Sequence, residues 1–392
     1  MQADEQSDTG RRIQRTVAGD AAAGLRARFD AARRALATGD PRVAAGQYGV
    51  LLGEARARGL VREEAQALLG LGHCGLENGE LEKARDHFEA AERLIAGDEP
   101  AQRARAVRGR AVAHLLSGEL RYSCYLIEAE LQRLAATGAA DPTAVLILCT
   151  AAIPPYMDMG AHARAAQAAE QALALEPRVD DPAAVASMHR SVARTFLAEG
   201  RTAEADASLA RATELFERLQ IRTELAHCHW MRGYVLAQRG ELESAEHELR
   251  TARDMLLAKR AVLFTAQVEV ELADVLRRRG STSEAAQLLQ LLLDPARPGF
   301  GTVHAAGAHR LLGLIAEAAG DDDRAEEHYV NALALLETAG AAGDLADLCR
   351  LLGDLLRRAG RTEAALETYR TGLGHRASPG TTTLGPAPSA RP

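Results

Sequence analysis

The sequence predicts an all-α fold, a right-handed α-solenoid of about nine antiparallel helix pairs. Three observations predict it. Glycines recur at Gly39, Gly79, Gly118, Gly160, Gly200, Gly240, Gly280, Gly320 and Gly360, with steps of 40, 39 and 42 residues up to Gly160 and of 40 thereafter. Five residues past eight of these nine glycines stands an alanine (Ala44, Ala84, Ala165, Ala205, Ala245, Ala285, Ala325, Ala365), and in the remaining unit Ser123 is also small. The composition is 47% hydrophobic and 26% charged but only 4% aromatic, so small aliphatic side chains must build the core and let helices approach closely. A fixed period outweighs the two or three ordinary domains that 392 residues would otherwise allow.

In order, the chain divides into a polar leader over 1–20, the repeat array over 21–374 and a Pro/Thr/Gly tail over 375–392. The leader mixes Asp4, Glu5 and Asp8 with Arg11, Arg12 and Arg15, and is too short for a helix-turn-helix reader of DNA ahead of the repeats. The first repeat pairs a helix near 24–37 with one starting at Asp40-Pro41, a capping aspartate with proline in the first helical position. In the second, Leu68, Leu71 and Gly72 share one helical face, and Ala84, Phe88 and Ala91 another. Neither helix can bury its stripe alone, so each hairpin must pack on its mate and on the next repeat. Asp141-Pro142 and Asp181-Pro182 repeat the start signal one period apart, and Asp294-Pro295 with Pro298-Gly299 mark the exit from the seventh unit. The tail composition predicts disorder.

Two units break the pattern. Pro154 and Pro155 fall inside the first helix of the fourth unit, where proline removes hydrogen bonds at a cost of about 3 kcal/mol or more. That helix is expected to kink or stop near Ile153, either as a hinge presenting Tyr156, Met157, Asp158 and Met159 or as an irregularity its neighbours tolerate. In the third unit Arg121-Tyr122-Ser123-Cys124-Tyr125 replaces an alanine-rich stretch, as solvated surface or as a contact site.

Leu71-Gly72, Gly79, Ala84, Phe88 and Ala91 stand in one register with Leu312-Gly313, Gly320, Ala325, Tyr329 and Ala332, and with Leu352-Gly353, Gly360, Ala365 and Tyr369. Gly233, Gly240, Ala245, Leu249 and Ala252 fit more loosely. On these residues the chain resembles the tetratricopeptide repeat family, whose common unit is about 34 residues. Extra helical turns and longer connections between repeats would absorb the difference, and long-unit arrays of this kind are similar to those of bacterial signalling and transcriptional regulators.

The resemblance implies a curved superhelix whose concave groove is lined by the first helix of each pair. Carried over position by position, it places Arg105, Arg108, Arg190, Arg194, His227, Trp230 and Tyr234 on the middle of the groove. Gln267, Asp274 and Arg310 follow, then Asp347, Arg350 and Asp354. Trp230 has a competing role in packing, and Arg190 and Arg194 one as solvated helix surface. The lysine and asparagine clamp of chaperone-tail repeats has no counterpart at these positions.

The expected function is protein or peptide binding through the groove, as a cytoplasmic adaptor or scaffold in bacterial regulation. One alternative is a sensor of a small effector or signalling peptide that controls a separate regulator; another is a self-associating assembly scaffold. A net charge of −7 argues against direct nucleic-acid binding. Neither a signal peptide nor a membrane span is expected, since no run of about 18 apolar residues occurs. Cys74, Cys124, Cys149, Cys228 and Cys349 are too scattered for a disulfide framework and read as buried hydrophobes. His227-Cys228-His229 is poor geometry for a shared ion, because residues two apart on a helix diverge. His189, His229 and His309 share one repeat position, which suggests packing between hairpins. No nucleotide-binding or hydrolase motif is present, so neither cofactor nor enzymatic activity is expected.

Overall fold

The computed structural model describes residues 24–95, 99–138, 141–294, 302–339 and 342–377. The expected leader over 1–20 lies outside them, as does the tail beyond 377. Among the described residues every regular element is helical, and consecutive helices pack on one another in chain order. The first pairs are α1 (24–38) with α2 (Pro41–Arg58), α3 (Val61–Asn78) with α4 (Leu81–Leu94), and α5 (Pro100–Leu116) with α6 (Leu120–Thr137). Next come α7 (Pro142–Asp158) with α8 (His162–Leu175), α9 (Pro182–Ala198) with α10 (Thr202–Leu219), and α11 (Arg222–Gln238) with α12 (Leu242–Lys259). The last are α13 (Val262–Arg278) with α14 (Thr282–Leu292), α15 (Thr302–Ala318) with α16 (Asp322–Ala339), and α17 (Ala342–Arg358) with α18 (Thr362–Ala377). The fold is an α-solenoid of helix pairs.

Each pair turns at one of the nine periodic glycines. Eight of them, from Gly79 to Gly360, adopt φ between +73° and +89°, a region in which a Cβ is strained. The residue after the glycine closes the end of the first helix, as where Glu80 N–H donates to Gly75 O at 2.8 Å and Arg201 N–H to Phe196 O at 2.8 Å. Gly39 is the exception, with no left-handed φ; Asp40 caps α2 there by accepting from Arg42 N–H at 2.9 Å. The other recurrent glycine acts through space. A Cβ at Gly72 would lie 2.7 Å from the Phe88 ring and one at Gly233 2.7 Å from Leu249, while at Gly313 and Gly353 it would fall on Tyr329 and Tyr369. The alanines five residues past the turns are all buried, and Ser123 in the odd unit donates to Ala111 O at 2.8 Å.

The longer repeat resides mainly in the helices. From α9 to α13 they run 17 or 18 residues. The connections after α10 and α12 are only Gln220-Ile221 and Arg260-Ala261, with Gln220 and Arg260 at φ 57° and 58°. A longer connection, 176–181, follows α8, so the expectation of stretched loops holds there and not after α10 or α12, while the Pro295 and Pro298-Gly299 signals lie outside the described residues.

The expected stop at Ile153 does not occur: α7 continues to Asp158 through both prolines. Burial accounts for this, since almost every side chain from Ala144 to Met157 is packed. Past the prolines, Tyr156 Oη donates to Glu128 at 2.7 Å, and the Arg164 guanidinium covers the Tyr156 ring at 4.4 Å while bonding Glu128 at 2.6 Å.

The superhelix also meets itself. Leu263, at the start of α13, packs in one cluster with Leu76, Ala113 and Leu116 of the second and third units. Beside it Lys259, only 1% exposed, donates to Leu36 O at 2.5 Å and reaches Glu77 at 2.8 Å, and Thr223 Oγ1 donates to Glu77 at 2.9 Å. Arg260 adds an outer pair with Asp40 at 3.3 Å. Burial raises the Glu77 pKa, against the lowering by Lys259 and Thr223. Lys259→Met should therefore strand a buried carboxylate and cost about 3–5 kcal/mol in urea unfolding, whereas adding Glu77→Leu should recover most of the loss. Equal losses in the single and double variants would refute that coupling. In α7, amides 146–153 should be as protected in hydrogen exchange as those of α13; rapid exchange there would mean that the prolines open the helix.

Candidate functional site

The first helices of the pairs converge on a lumen at two levels. The level nearer the early repeats collects side chains from α3, α5, α9, α11 and α13. Arg105 of α5 pairs with Asp181, and Arg190 Nε of α9 lies 3.2 Å from Glu224 of α11. His227 of α11 packs edge-on against Phe264 at 4.8 Å between centroids and lies 5.9 Å from the Trp230 ring. Burial drives Glu224 upward, but Arg190, His227 and Arg108 outweigh it and hold the carboxyl well below the usual range. His73 of α3 is pushed down to about 4 by burial and by Arg108, so it is neutral at pH 7. Trp230 Nε1–H is buried without an acceptor. Arg108 lies within electrostatic reach of Glu224, Arg190 and Arg105 yet makes no hydrogen bond or ion pair with any described residue.

The second level draws on α7, α9, α11, α13, α15 and α17 and is acidic. Arg194 pairs with Asp158 at 2.7 Å, beside Tyr234, and a cleft of about 320 Å³ opens against them. Asp274 takes Arg277 at 2.8 Å, and Arg310 reaches Asp347 at 3.6 Å. Arg350 bridges Asp347 at 3.0 Å and Asp354 at 3.3 Å. Glu271 has no such partner among the described residues, and burial, then Asp274, pushes its carboxyl up to about 7 against Arg194 and Arg310.

The sequence-derived positions thus fall into two groups. Arg105, Arg108, Arg190, His227 and Trp230 meet at the first level, and Arg194, Tyr234, Asp274 and Arg310 at the second. Gln267 is only 5% exposed and offers the lumen little surface. Pro154 and Pro155 lie within continuous α7. Sequence reasoning missed Glu224 and Glu271, as well as His304, which lies near Asp158 and Arg194 and is pushed down to about 4 by burial, and Asp344, whose carboxyl burial and Asp158 push up to about 6. Glu224 and His304 sit three residues before the first position carried over from the shorter unit, in the turn that the longer helices add. Their signal is the helix length itself.

On the outer surface, Tyr122 and Tyr125 are 46% and 62% exposed and stack at 5.9 Å, beside a cleft of about 390 Å³ that includes Arg85, Glu89 and His114. The divergent third unit is solvent-facing there. The three equivalent histidines do not all pack between hairpins as expected: His229 meets Glu248 at 2.6 Å and His309 meets His328 at 3.1 Å within their own pairs, and only His189 reaches back to the preceding connection, at Glu176, 3.1 Å away. All five cysteines are buried and unpaired. Among the described residues no helix is long and apolar enough to cross a membrane.

A lumen built by stacked helix pairs defines the class as a superhelical repeat protein. Tetratricopeptide repeat family models match residues 29–99 and 308–341. No curated protein sequence matches significantly. In fold the chain is similar to the Rap protein crystallised with competence and sporulation factor: TM-score 0.62 and 13% identity, over 90% of this chain and 97% of that one. It is also similar to the Rap conjugation gene regulator of plasmid pLS20, solved with the Phr* peptide: TM-score 0.53 and 16% identity, over 86% and 98%. The apo quorum sensor NprR of B. thuringiensis aligns with TM-score 0.50 and 16% identity, over 90% and 99%.

Because the folded Glu271 carboxyl holds its proton up to about pH 7 and the unfolded one only to about 4.5, its contribution to stability should fall as pH rises through that window. The melting temperature of wild type minus that of Glu271→Gln should be larger at pH 5 than at pH 8. A difference that is flat with pH would contradict this.

Proposed function

We propose that the protein binds a peptide, or a peptide-like segment of another protein, in the lumen and works as a regulatory adaptor without chemistry of its own. The observation that carries this reading is the set of polar groups left open there: Arg108 and the Trp230 indole N–H at the first level and Glu271 at the second have no hydrogen-bond or ion-pair partner among the described residues. An extended peptide supplies both charges and main-chain acceptors to such a surface, and aromatic and arginine side chains are the usual anchors of protein contacts. The likeness to a Rap regulator solved with a Phr* peptide supports the same use of the fold. A sensor of a small effector would require an enclosed, mainly apolar pocket, which this charged lining does not favour. The expected setting is bacterial and cytoplasmic.

Trp230, the sole tryptophan, supplies the readout. Peptides eluted from native protein and identified by mass spectrometry should shift its emission when added back. Arg190→Gln/Arg194→Gln should weaken their binding at least about tenfold, the scale of one charge-assisted hydrogen bond. Unchanged affinity in a variant with an unchanged melting temperature would remove the lumen as the site.

A further inference from the structure

Almost every charge in the lumen has a partner of opposite sign. At the first level three guanidiniums, Arg105, Arg108 and Arg190, face two carboxylates, Asp181 and Glu224, and the group left over is Arg108. At the second level Asp158, Asp274, Asp347 and Asp354 each hold an arginine, while Glu271 and Asp344 hold none among the described residues. One cation and two carboxyls, at different heights of the same lumen, thus lack counterions among the described residues. Arg190 and Arg194, which belong to the two levels, are one turn apart on α9, about 6 Å along its axis. An extended peptide crosses that height between the two levels in roughly two or three residues.

We infer that the lumen takes a short peptide segment carrying both charges in a fixed order, its carboxylate seated on Arg108 and its cationic group on the unpaired carboxyls Glu271 and Asp344, which sets both sequence preference and direction. The inference rests on the peptide-binding reading above and specifies its ligand. Three features support it. Trp230 Nε1–H, buried without an acceptor beside His227, can donate to the main chain or carboxylate of a peptide lying at the first level. His73 is neutral and does not compete with Arg108 for the anion. A carboxyl held up near 7 among Asp274 and Asp158 gains its charge most readily when a cation arrives, and a polyanion would be repelled by that end.

The test uses full-length protein and a random pentapeptide mixture in two forms, with free and with amidated C-termini; retained peptides are sequenced by mass spectrometry. Wild type should enrich peptides with an acidic and a basic group two or three residues apart. Enrichment confined to the free-acid mixture assigns the anion to the C-terminus, and equal enrichment in both assigns it to an aspartate or glutamate side chain. Arg108→Gln should lose the acidic preference, and Glu271→Gln/Asp344→Asn the basic one, each lowering affinity for the enriched peptides about 10- to 100-fold. Because none of these residues has a hydrogen-bond or ion-pair partner among the described residues, neither variant should melt earlier than wild type at pH 7.5. Peptides retained with unchanged preferences in both variants would overturn the inference and leave lumen binding standing. Retention of no peptide by wild type would overturn both.

Discussion

Lys259 draws the carbonyl of Leu36 and the carboxylate of Glu77 to one point, across sequence separations of 223 and 182 residues, and thereby sets where the superhelix meets its own beginning. An open array of helix pairs has a pitch that small errors at each interface can shift. Here one buried ammonium must find a carboxylate, a carbonyl and the Thr223 hydroxyl together, and a register that misses them strands a charge away from water. Such a cluster stabilises little beyond what apolar side chains of equal volume would, so its weight lies in selecting one register. Once that register is set, the first helices of early and late repeats face one another across a narrow space, and charges distant in sequence become neighbours.

That narrowness governs the electrostatics of the lumen. Guanidinium and carboxylate groups on an open concave face would each keep their own hydration, whereas here they are pressed into pairs that span repeats, such as Arg190 with Glu224 and Arg194 with Asp158. The directions in which groups titrate follow from the same crowding. His73 is held neutral among arginines, Glu224 is held ionised by them, and Glu271 keeps its proton among acids. A ligand entering this space meets fixed charges rather than bulk water, so their placement can discriminate between peptides.

The fold was legible because its rules are local. A glycine that must turn left-handed, an alanine that must fit under the next helix and a glycine that must admit Phe88 or Tyr329 leave marks at fixed spacing. Even there the marks are not uniform: Gly39 keeps its place in the period without the left-handed backbone, and α7 runs through two prolines because its neighbours bury it on nearly every side. The site was legible in part. Arg108, Arg190 and Trp230 followed from position within the unit, but Glu224 and His304 lie in a helical turn that the shorter repeat lacks. The closure by Lys259 left no local trace, since nothing in the α12 stretch distinguishes a lysine at a helix end from a residue that caps it by charge alone.

Repeat arrays are often regarded as modular, with units that can be removed or added while the remainder keeps its geometry. Contact between Lys259 and the first two units withdraws that freedom. Deleting one whole unit between Glu77 and Lys259, although every remaining interface would match, would carry the ammonium one step back around the spiral and leave it facing the wrong part of the chain. The repeat number over this stretch is therefore constrained as tightly as a core residue. Beyond α13 the described contact back to the early units is the long hydrogen bond from Thr302 Oγ1 to Ser117 O at 3.4 Å, a far weaker tie, so variation in the count of units meets less resistance there.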